Sequence, residues 1–74
     1  MQLYEKVLAE TRLFLADQSE PFLHRQCKHL RISLDALTSQ DLPKLAYWVR
    51  VSASLVMSQD KADLLAEKIS SLSE

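Results

Sequence analysis

The residues with chemistry in them crowd into one stretch, "FLHRQCKHLR", residues 22 to 31. His24, Cys27 and His29 lie there among Arg25, Lys28 and Arg31, with no carboxylate between them. Three kinds of chemistry suit those types: metal ligation by imidazole and thiolate, attack by a histidine-activated thiolate, and attraction of an anionic partner. Spacing sorts them. On a helix His24 and Cys27 are one turn apart and can share a face, whereas His29, two residues past Cys27, points away. Neither a Cys-x-x-Cys nor a His-x-x-x-His pair is present, and no fourth ligand is in view. No metal and no other cofactor is therefore expected. Cys27 also continues the apolar series Leu23, Cys27, Leu30, where a free cysteine behaves as a small hydrophobe. A thiolate nucleophile needs an accessible sulfur and an oriented base. The core side of a helix offers neither, so no catalytic residue is assigned and the chain is not expected to be an enzyme.

The absence of glycine removes further chemistries. Phosphate cradles, dinucleotide fingerprints and nucleophile elbows need a backbone that takes positive φ or approaches its ligand closely, and this chain has no glycine to supply it. Tight hairpin turns lose their favoured residue as well, which counts against an all-β fold.

Charge is the remaining lead. Residues 22 to 32 carry Arg25, Lys28 and Arg31 and no acid, between flanks in which acids outnumber bases. Two readings follow. The basic helix could lie against acidic faces of the first and last helices of its own chain, through surface pairs contributing about 0–1 kcal/mol each. Or His24, Arg25, Lys28 and Arg31 could form a patch that receives an acidic protein partner. Nucleic acid is not the expected partner: the net charge is -1, and the helix starts "DLPKLA" and "SQDKAD" are apolar-rich and acidic where a recognition helix is polar or basic.

The elements that position these residues can be read from periodicity. Helices are predicted over about 3–16, 20–30, 41–57 and 59–71. In the first, Tyr4, Val7, Leu8, Thr11, Phe14 and Leu15 make one apolar stripe with Thr11 as its weak point. Ser19 is the predicted cap of the second, with Pro21 tolerated in its first turn. A short turn should tuck Leu34 and Leu37 inward. Asp41 or Ser39 is expected to cap the third helix and Ser58 the fourth, whose stripe is Ala62, Leu65, Ala66, Ile69 and Leu72.

The third helix has two apolar sides. Leu42, Leu45, Ala46, Val49, Ala53 and Val56 form one stripe; Trp48, Val51 and Leu55, with Tyr47 at the margin, form another. A helix apolar over most of its circumference is buried on most sides. The other helices have one stripe each, so the second side either is wrapped by them or meets its own copy across a two-fold axis. A core this small rarely supplies more than about 3–5 kcal/mol by itself, which favours the second arrangement.

The fold class expected is all-α, a small single-domain four-helix bundle with a largely buried third helix. No secretory signal is read from "MQLYEKVLAE", and the apolar stretch 42–57 is broken by Lys44 and Arg50 and too short to span a bilayer. A lone cysteine fits a reducing compartment, so a cytoplasmic protein with no membrane association is expected. Its expected function is protein–protein contact, as a regulator, adaptor or assembly subunit. It would act as a homodimer through Tyr47, Trp48, Val51 and Leu55. A DNA-binding regulator using the basic helix 22–32 is the second reading, and an accessory subunit of a larger enzyme the third.

Overall fold

A computed structural model describes residues 2 to 72. Among them the chain is all-α: α1 (Leu3–Leu15), α2 (Ser19–Leu30), α3 (Leu42–Ala53) and α4 (Gln59–Ser70), with one-turn 3-10 segments at Ala16–Gln18 and Leu34–Ala36. Helix α3 lies between α2 and α4, and α1 closes the other side by packing on both of them. The contact of α3 with α4 is the most extensive. Both helices bury alanines, Ala46 and Ala53 on one and Ala62 and Ala66 on the other, and small residues on facing helices let the axes approach.

The core is built from the predicted stripes. Val7, Leu23, Leu45, Val49, Leu65 and Ile69 are wholly buried, each such side chain contributing about 1.5–3 kcal/mol relative to an exposed position. Leu34 and Leu37 close one end of it from the 3-10 turn. Thr11, the polar residue in the α1 stripe, is also fully buried. Its hydroxyl donates to the Val7 carbonyl four residues back at 2.8 Å, which satisfies it without a partner from another helix.

The third helix departs from expectation in two ways. It stops at Ala53 rather than near Met57. Leu55 and Val56 donate their N–H groups three residues back, to Ser52 and Ala53, and Ser54 Oγ donates to the Val51 carbonyl at 2.7 Å. These tighter turns reverse the chain towards Ser58 without a glycine. Val56 is thereby lifted off the stripe and exposed. Nor is α3 largely buried: its Leu42, Leu45, Ala46, Val49 and Ala53 side faces the core, while Tyr47, Trp48 and Val51 are exposed, as is Leu55 in the turn beyond it.

The caps differ too. Ser58 accepts from the Lys61 N–H at 3.3 Å and starts α4 as predicted. Asp41 precedes α3 but its side chain makes no cap bond to that helix; its carboxylate instead accepts from the N–H and hydroxyl of Thr38, stabilising the turn before. Ser19 does not cap α2. It is the helix's first residue, fully buried, with an Oγ that has no hydrogen-bond partner. A buried unsatisfied hydroxyl costs about 1–3 kcal/mol. Ser19→Ala is therefore expected to stabilise the fold by about 1 kcal/mol, read as a thermal midpoint higher by about 4–8 °C for a domain of this size.

Without glycine, two ordinary residues take left-handed backbone: Ala16 (φ 50°) and Arg31 (φ 59°). Arg31 closes α2 in a Schellman arrangement, its N–H reaching the Lys28 carbonyl at 3.2 Å and that of Ile32 the Cys27 carbonyl at 3.0 Å. Glycine is favoured there because a Cβ crowds the backbone. Arg31→Gly should raise unfolding free energy by about 0.5–1 kcal/mol in a urea titration, despite deleting a charge from the basic patch.

Candidate functional site

The three residues that opened the chemical question are separated by the fold. His24 is on the surface, with Nε2 at 3.9 Å from Oε1 of Glu20 one turn earlier. Cys27 is buried, and its thiol is pushed up to about 11, first by burial and then by the negative charge of Asp41. It stays protonated at neutral pH, and a protonated, enclosed thiol is a poor nucleophile. His29 stacks on Trp48, ring centroids 5.5 Å apart and planes within 8°. Among the described residues, no group of three His, Cys, Asp or Glu side chains is placed to hold a metal ion.

The cations of α2 point outward. Arg25 lies 6.0 Å from the Phe22 ring centroid, and Arg25, Lys28 and His29 line one shallow cleft. Among the described residues none of Arg25, Lys28 and Arg31 has an ion pair within 4.0 Å; the interhelical pair seen joins Lys68 of α4 to Glu10 of α1 at 4.0 Å. Helix α2 makes no packing contact with α4, so the expected internal pairing of the basic helix with the last helix is not formed. Arg31, in its left-handed cap, belongs to the end of the helix rather than to the strip of Arg25 and Lys28.

The apolar surface is the larger feature. Tyr47 and Trp48 meet edge to face at 5.7 Å, and such aromatic pairs gain about 0.5–1.5 kcal/mol beyond their burial. With His29 on its other side, Trp48 is fixed in place yet remains 37% exposed. Val51 continues the stripe one turn on, and Leu55 ends it at 84% exposed. Arg50 covers Tyr47, its guanidinium carbon 5.8 Å from the ring centroid. The structure thus leaves all four residues of the predicted self-contact exposed as a ridge, Tyr47, Trp48 and Val51 on α3 and Leu55 in the turn that follows it. A second notch of mixed character, where Leu13, Phe14, Val56, Met57 and Leu64 meet Ser58 and Lys61, adjoins the α3–α4 turn. It was not anticipated, because Val56 falls in register with the core stripe.

One polar link behind the ridge escapes a reading of pattern alone. Gln26 is buried and its Oε1 accepts from Ser52 Oγ at 3.0 Å, tying α2 to α3. The available signal was its position: 22, 23, 26 and 27 share the inward face of α2, so a glutamine at 26 had to find a partner there.

No helix among the described residues is long and apolar enough to cross a membrane. No protein-family model, curated protein or solved structure matches the chain.

Proposed function

We propose that the helices form a small four-helix bundle that works by protein–protein contact, as a homodimer joined through the α3 ridge of Tyr47, Trp48, Val51 and Leu55. The observation that carries this reading is the ridge itself: Tyr47, Trp48 and Val51 exposed on α3, with Leu55 exposed in the turn at its end. Interface centres are enriched in tryptophan and tyrosine, which bring large area at low entropic cost. Trp48 is already held between His29 and Tyr47, so little freedom remains to be lost on docking. A bundle with a small core gains from burying such a surface. A single cysteine, with no partner for a disulfide in its own chain, suits a reducing, cytoplasmic setting.

Light scattering after size exclusion, across a range of protein concentrations, tests the reading. A mass rising to twice 8.5 kDa is expected; a constant 8.5 kDa particle at every concentration overturns it. The exposed cations Arg25 and Lys28, which have no ion pair among the described residues, favour an acidic surface as the neighbour of the ridge.

A further inference from the structure

The ridge of α3 has two unlike borders. On one side is α2, with Arg25, Lys28 and His29 around an open cleft and His29 stacked on Trp48. On the other is α4, where Asp63 and Glu67 line the groove that also holds Tyr47 and Arg50. The first border carries two full positive charges and no acid. The second carries two carboxylates against one guanidinium. Lys44 stands at the N-terminal end of the ridge, one turn before Trp48, where its long stem can carry the charge out to solvent.

Two copies laid ridge to ridge across a two-fold axis have two limiting arrangements. A two-fold axis lying across α3 makes the helices antiparallel and sets each border against its own copy, cation facing cation and acid facing acid. An axis running along α3 makes the helices parallel and sets each basic border against the other copy's acidic border, twice. Like charges brought together across an interface are costly, and complementary ones fix the register. We propose that the dimer takes the second arrangement: α3 parallel to its counterpart, with the α2 border of each copy meeting the α4 border of the other. This rests on the self-association reading and adds its orientation. It also gives Arg25 and Lys28, which have no ion pair among the described residues, a use in the assembly.

Charge reversal separates this orientation from the seam itself. The chain carrying Arg25→Glu with Lys28→Glu, and separately the chain carrying Asp63→Lys with Glu67→Lys, should each show a dimer dissociation constant raised about tenfold or more at low salt. The chain with all four changes should regain the dimer, because both borders are exchanged together. The unmodified dimer should loosen as ionic strength rises. Helical content by circular dichroism accompanies each variant, and because the two pairs lie on different helices, failure of one to fold leaves the other to report. If both reversed chains dimerise as the unmodified one does, the orientation is overturned and the seam stands: borders facing their own copies merely exchange one like-charge contact for another. If the unmodified chain is a monomer throughout, the self-association reading falls, and the orientation with it.

Discussion

Val51→Asp is expected to turn a concentration-dependent dimer into a particle of constant 8.5 kDa mass. Val51 stands at the centre of the ridge, three residues from Trp48 and four from Leu55. A two-fold axis through that region brings the residue close to its own copy, so each substitution counts twice. Two carboxylates would be drawn from water into an apolar contact and towards each other. An ionised group desolvated without a partner costs several kcal/mol, and about 1.4 kcal/mol is a factor of ten in affinity. The dimer should therefore weaken by about a hundredfold or more. The folded chain loses little, because Val51 is exposed in it. The remaining penalty is an acid near the C-terminus of α3, roughly 0.3–1 kcal/mol. Circular dichroism should accordingly show unchanged helix content. Leu55→Lys provides an independent second variant, since a side chain 84% exposed contributes almost nothing to the fold of one chain. If both variants keep the mass of the unmodified protein, the seam lies elsewhere on the surface, and the notch by Leu13 and Leu64 becomes the next place to look.

What could be read from sequence, and what could not, follows from which forces are local. The three-and-four-residue rhythm of apolar side chains is local, and it located the helices and most of the core. The inward tuck of Leu34 and Leu37 was legible because two leucines in a polar link have nowhere else to go. The stop of α3 was not. Its usual markers are glycine and proline, and here the helix is followed by "SLVM", whose three apolar residues keep the rhythm while the backbone abandons it. The same lack of glycine hid the left-handed positions at Ala16 and Arg31. Ser19 misled because the side chain that suits a helix cap is equally the side chain that can be swallowed one position inside the helix. For the candidate site, the pattern identified α3 as a helix with two apolar faces. Whether the second face is wrapped or bare depends on how many helices reach it. That is a property of the packing, as are the stack of His29 on Trp48 and the bond from Ser52 to Gln26.

Leu45→Ala is expected to unfold much of the protein at 25 °C. Leu45 is fully buried on α3, the helix that packs between α2 and α4. Truncating a leucine in such a place removes its transfer energy and leaves a cavity, about 2–5 kcal/mol together. A domain of this length holds only about 3–5 kcal/mol in reserve, so the loss and the reserve are of the same size. Loss of most of the far-ultraviolet helical signal, or a urea midpoint moved close to zero, is the expected result. Leu45→Met, which nearly conserves volume, should cost less than about 1.5 kcal/mol and remain folded. Leu13→Ala should change little, since Leu13 is 74% exposed. The proposed dimer enters through linkage: a contact made only by the folded chain stabilises it in proportion to the logarithm of concentration. Leu45→Ala should then regain helix as its concentration is raised, whereas Leu45→Ala combined with Val51→Asp should not. Recovery in the single variant and none in the pair would show that the outer face of α3 helps hold its inner face together. Equal unfolding of both at every concentration would confine the work of α3 to its own chain.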